Sequence, residues 1–137
     1  MARLMSARRD QRGLALVEMA LILPLLFILV FGVIEYGWLF FKYQQVANAS
    51  RVACRYAITQ PATTAETLTM CDTLMTNAKL QSSGYTKTCT NTDFVAPGTF
   101  ITVTITVPYA NIKLTGFPLP LPTNLVGTTT MAKEGPP

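Results

Sequence analysis

The chain has 137 residues, a formal net charge of +4 and no histidine. That length is one modest unit rather than several large domains. The missing histidine removes the usual base near neutral pH and, with no CxxC pair, argues against a zinc site built from His and Cys; no metal site is expected. Most of the positive charge sits at one end, where Arg3, Arg8, Arg9 and Arg12 face a single acid, Asp10; the remainder is close to neutral and has no basic stripe for nucleic acid.

From Met19 to Ile34 no side chain is charged, and after Glu35 the apolar run resumes to Phe41. A helix rises about 1.5 Å per residue and about 20 apolar residues cross a bilayer core, so residues 14–41 are long enough to span one with some tilt. A buried core helix is the alternative, but the remaining chain is too short to cover such a segment on all sides. Arginine excess stays in the cytoplasm. Residues 1–13 therefore read as a basic cytoplasmic leader, 14–41 as a transmembrane helix and 42–137 as an extracytoplasmic α+β domain. Tyr36, Trp38 and Tyr43 mark the outer interface. A removable signal peptide would need an apolar region of about 7–15 residues followed by a small-residue cleavage site; the run is longer, and Phe40-Phe41-Lys42-Tyr43 is no such site.

Two acids interrupt the span. A carboxylate in a membrane is costly and marks a function or a partner. Glu18 lies one turn from the start, where the headgroup level and the helix dipole also accommodate it. Glu35 lies near the outer edge on the same face as Lys42, either as a contact for a partner subunit or reaching interfacial water. Pro24 cannot donate to the carbonyl of Ala20, so a bend is expected there. Gly32 and Gly37 are small positions open to another helix, although their spacing is not GxxxG.

The helix should continue outside the membrane to about Ile58, with Val46, Ala49, Ala53, Tyr56 and Ala57 on one face and Arg51 and Arg55 on another. Its total of about 45 residues corresponds to about 68 Å. Gln60-Pro61 ends it. Thr63-Thr64-Ala65-Glu66 reads as a capping box opening a second helix, whose apolar stripe is Leu68, Cys71, Met75 and Ala78 beside Leu74, and which should stop near Ser82-Ser83-Gly84. A loosely alternating strand is expected from Tyr85 to Asn91. A strictly alternating one follows from Phe100 to Tyr109, with Ile101, Val103, Ile105 and Val107 inward and Thr102, Thr104 and Thr106 outward. After a Pro-rich loop, Phe117 to Pro122, a last strand from about Asn124 to Ala132 should return beside the second. The expected fold is α+β and pilin-like: a long N-terminal helix and a short second helix packed on an antiparallel sheet of about three strands.

All three cysteines fall on the predicted outside, where one disulfide is permitted and one thiol is left over. On this layout Cys71 and Cys89 face each other, and a bridge between them is expected. Cys54 to Cys71 is the rival pairing.

Basic residues, then Gly13, then Leu14-Ala15-Leu16-Val17-Glu18 and an apolar run resemble a type IV prepilin processing site, with a Gly before the cleaved bond and a Glu five residues after it. Arg12-Gly13-Leu14-Ala15-Leu16-Val17-Glu18-Met19-Ala20-Leu21-Ile22-Leu23-Pro24 is followed by Phe31-Gly32-Val33-Ile34-Glu35-Tyr36-Gly37 and, after a polar helix, by Cys54-Arg55-Tyr56-Ala57. This stretch resembles the TadE-like family, minor pilins or pseudopilins of the tight-adherence (Flp-type) pilus system; Met19 stands where a Phe or Tyr commonly follows the Glu. The resemblance implies a bacterial inner-membrane protein with a cytoplasmic N-terminus and a periplasmic C-terminus, cleaved between Gly13 and Leu14 by a prepilin peptidase. It would help initiate or assemble the pilus alongside other pilin subunits and assembly proteins, or be incorporated into it. Cleavage would leave an ammonium on Leu14 that Glu18 of a neighbouring subunit could neutralise.

The competing class is an uncleaved, anchored binding module of a pilus or secretion system, with Phe117 and Leu119 in the Pro-rich loop as its contact. An enzyme finds no support. The outer acids Glu66, Asp72, Asp93 and Glu134 form no paired motif, Ser82-Ser83 has no base nearby in sequence, and no Gly-rich phosphate loop occurs. No cofactor or small-molecule substrate is expected, and the chain's part in a reaction would be that of substrate.

Overall fold

The computed structural model describes residues 3–59, 61–90, 92–93, 95–116 and 119–135, with the backbone alone for residues 3–12. Two compact units are present, Met1–Tyr36 and Gly37–Pro137. Helix α1 (Arg3–Ile58) contributes to both. It begins earlier than the apolar run predicts, because the backbone before Gly13 is also helical. That stretch is rich in Ala, Leu, Met, Arg and Gln, all good helix formers, and a single Gly costs about 1 kcal/mol without ending a helix. The helix also continues through Pro24.

In the second unit, α1 lays a face of small residues on a sheet. Val46, Ala49, Ala53, Cys54 and Ala57 are buried, whereas Tyr56 is 37% exposed. The expected face is therefore rotated: Cys54 takes the inward position given to Tyr56, and Ser50 joins it, bonding Thr129 Oγ1 at 3.0 Å. Arg51 and Arg55 face outward.

Helix α2 (Thr64–Asn77) opens on the predicted capping box, with both bonds present: Glu66 N–H donates to Thr63 Oγ1 at 3.2 Å and Thr63 N–H to Glu66 Oε2 at 3.0 Å. It ends before the predicted Ser-Ser-Gly. Lys79 N–H donates to Thr76 O and Leu80 N–H to Met75 O, both at 2.9 Å, with Lys79 left-handed at φ 54. These two bonds are a Schellman stop, in which Gly is the ordinary left-handed residue. Met75 and Leu80, both in the core, supply its hydrophobic contact.

The sheet has three antiparallel strands, β1 (Thr86–Cys89), β2 (Phe100–Pro108) and β3 (Asn124–Ala132), in the order β1-β2-β3. Ile101, Val103, Ile105 and Val107 are fully buried. On the outer face Thr102 and Thr104 bond Thr130 and Thr128 at 2.8 and 3.1 Å. β1 is shorter than expected; Tyr85 precedes it, and Asn91 lies outside the described residues, as do Gln60, Phe117 and Pro118. Of the Pro-rich loop, Leu121 packs against the core. A short 3-10 turn, Tyr109–Asn111, takes up the last residue of the expected strand and the start of the expected loop, and its Tyr109 is fully buried.

β3 meets α1 at close range, because a Cβ on Gly127 would lie 2.7 Å from Val46 O. Beyond β3, Lys133 Nζ donates to Ala57 O and Thr59 O, each at 3.1 Å, and Glu134 N–H donates to Ile58 O at 3.0 Å. These donors satisfy the carbonyls that a helix end leaves open.

Candidate functional site

The apolar stretch of α1 determines what the chain can do. Leu14, Leu21, Leu25 and Val33 are each 68–75% exposed, and the most apolar window of the helix has no buried residue. Each such side chain would lose about 1.5–3 kcal/mol by staying in water rather than in an apolar medium. The exposed side chains lie all round the helix, which is the pattern of a segment solvated by lipid. By length and composition this helix is able to cross a membrane.

Gly13, Leu14 and Glu18 lie exposed on consecutive turns of this helix. A Cβ on Gly13 would meet nothing within 4 Å. A glycine weakens the helix at that place. Glu35, the second acid of the span, is fully buried. Gly32 and Gly37 have open space around them.

Residues 13–55 match the family model of TadE-like proteins. The matched stretch starts at Gly13, takes in the whole apolar run and ends at Arg55, one residue past Cys54. Residues 56–137, with α2 and the sheet, lie outside it. No curated protein and no solved structure is similar enough to match.

Beyond the TadE-like stretch, one polar cluster ties α2 to β1. Asp72 on α2 accepts from Tyr85 Oη–H at 2.6 Å and pairs with Lys87 Nζ, which also donates to Leu68 O at 3.0 Å. Hydrogen bonds from Lys87 and Tyr85 hold the Asp72 carboxyl below the usual carboxylate range, and burial with the Asp72 bond pushes Tyr85 up to about 12. Neither residue was singled out from sequence as having a partner. The register does place Lys87 opposite Ile105, on the inner face.

The thiols Cys54, Cys71 and Cys89 all lie in or against one core cluster, and all three are free. The expected Cys71–Cys89 bridge is not formed in this structure. Cys54 Sγ lies 3.5 Å from Ile101 O. Burial raises all three thiols, and Cys89 reaches about 11 under the added influence of Cys71 and Cys54. Among the described residues no group of His, Cys, Asp or Glu is placed to hold a metal ion.

Proposed function

We propose that the chain is a minor pilin or pseudopilin that helps initiate or assemble a tight-adherence pilus, with its leader removed after Gly13 by a prepilin peptidase. The observation that carries this reading is the TadE-like match beginning at Gly13, on an exposed apolar helix with Glu18 in place. In this reading residues 1–13 stay in the cytoplasm, the apolar run is held in the bacterial inner membrane and residues 42–137 are periplasmic. Glu18 then neutralises the new Leu14 ammonium of a neighbouring subunit. The chain itself catalyses nothing; it is the peptidase's substrate and a partner of other pilin subunits. In the periplasm, oxidation joins Cys71 to Cys89 and leaves Cys54 reduced.

The uncleaved anchored module remains as a second reading, because α1 runs unbroken through Gly13. Intact mass of the protein extracted from membranes of cells with an active prepilin peptidase separates the two. Loss of residues 1–13 is expected. Persistence of the full-length chain in those cells rules out the processed pilin.

A further inference from the structure

Within the second unit, a pocket of about 310 Å³ is lined by Trp38, Lys42, Lys79, Ser82, Asn111 and Lys113. Three of these side chains are cations, and no acid is among the residues lining it. The Lys42 ammonium lies 4.8 Å from the Trp38 ring centroid and bonds Gln45 Oε1 at 3.1 Å. Burial, and then the charge of Lys79, lower its pKa, so two ammonium groups repel across the site. Among the described residues the ammonium groups of Lys79 and Lys113 have no carboxylate or hydrogen-bond partner. The Trp38 ring is fixed, with its Nε1–H donating to Ile112 O at 2.8 Å.

Lys79 carries a second, independent signal. It occupies the left-handed position of the Schellman stop, at φ 54, where glycine would be free of steric cost. The fold accepts strain to keep a long cationic side chain there, and retained strain points to function. Trp38 and Lys42 stand one turn apart on α1, on either side of Phe41, where the apolar run ends. Aromatic and basic residues at that level meet lipid headgroups. Lysine binds phosphate as a point charge, and the Ser82 hydroxyl and the Asn111 amide supply neutral donors beside it.

We propose that this pocket binds the phosphate of an anionic phospholipid headgroup, held by Lys42, Lys79 and Lys113 against the Trp38 ring. The proposal rests on the anchored reading above and adds to it a lipid preference at the outer end of the span. Three cations concentrated in one concavity favour a compact anion over a zwitterionic headgroup, whose own ammonium would be repelled.

Trp38 is the single tryptophan of the chain, so its emission reports this pocket. Full-length protein in phosphatidylcholine nanodiscs would be titrated with phosphatidylglycerol. A saturable change in Trp38 emission is expected. It should weaken several-fold in Lys79→Gly/Lys113→Gln, with the thermal transition confirming that the variant is folded. Lys79→Gly removes the charge while relieving the backbone, so its loss of binding should come without loss of stability. An equal response in the double variant, or none in the parent, overturns the proposal. Inorganic phosphate added to phosphatidylcholine nanodiscs should give no change; a matching saturable change would assign the site to a dissolved anion and overturn the lipid assignment. Alkaline carbonate extraction reads the anchor separately: protein that stays with the membrane but shows a silent Trp38 sinks the headgroup site alone.

Discussion

Tyr85 donates its hydroxyl hydrogen to Asp72 Oδ1 at 2.6 Å, joining the residue before β1 to the second half of α2. Lys87, two residues on, grips the same carboxylate. The two partners titrate at opposite ends of the pH scale, and both shifts favour the folded state between them. Asp72 has a lowered pKa, so its contribution is present above the ordinary carboxylate range and is lost as pH falls below about 4. Tyr85 is raised to about 12, so its contribution is complete below about 10 and is lost as pH rises from there. Thermal melts of the full chain in detergent should therefore show a plateau that declines at both extremes. Asp72→Asn should lower the plateau and flatten the acid limb. Because Asp72 is half exposed, the loss should be modest, about 1 kcal/mol or less.

Gly127→Ala should destabilise the second unit by about 1–3 kcal/mol, the usual cost of forcing extra volume into a packed interface. The new Cβ would lie 2.7 Å from Val46 O, a backbone atom that cannot rotate away. Denaturant unfolding in detergent checks this. An unchanged midpoint would mean that α1 moves off β3 at little cost.

Gly13→Leu should block removal of the leader without altering the fold. The position is open, with nothing among the described residues within 4 Å of an added Cβ, so the helix accommodates a bulky residue there. Intact mass should show the full-length chain, and circular dichroism should be unchanged.

Non-reducing peptide mapping of protein taken from membranes should find Cys71 joined to Cys89, with Cys54 as a thiol. The three thiols share one core, so the choice is not imposed by distance along the chain. Cys54 is fully buried at the α1–β2 contact, which protects it from oxidant, whereas Cys89 is partly exposed. A Cys54–Cys71 bridge in the map would reverse the assignment.

The elements with one clear period were legible in the sequence. Alternation of Ile101, Val103, Ile105 and Val107 with threonines defines β2, and Thr63 with Glu66 defines the start of α2. The resemblance to TadE-like proteins was legible because the residues that carry it, within 13–55, are neighbours in the chain. Boundaries that depend on tertiary packing were not. α2 stops at Asn77 because Leu80 folds back into the core through a left-handed Lys79, and lysine is not the residue that announces such a stop. Tyr56 falls at the edge of the face centred on Val46, Ser50, Ala53 and Ala57 and stays 37% exposed, whereas Cys54 lies inside; which edge of a helix is covered is set by the sheet it meets, not by its own spacing. The basic pocket draws on residues 38–42, 79–83 and 111–113, and no local spacing connects them. The one hint was Trp38 and Lys42 at four residues apart.

Lys133 reaches back across 76 positions to the carbonyl of Ala57. The closing turn of α1 is thus completed by residues that leave the ribosome long after it. A nascent chain can commit its greasy segment to the bilayer while the far tip of the same helix still awaits its clasp. Ribosomes halted before Lys133 would leave that tip frayed, and a frayed tip beside an unfinished sheet is a natural foothold for a protease.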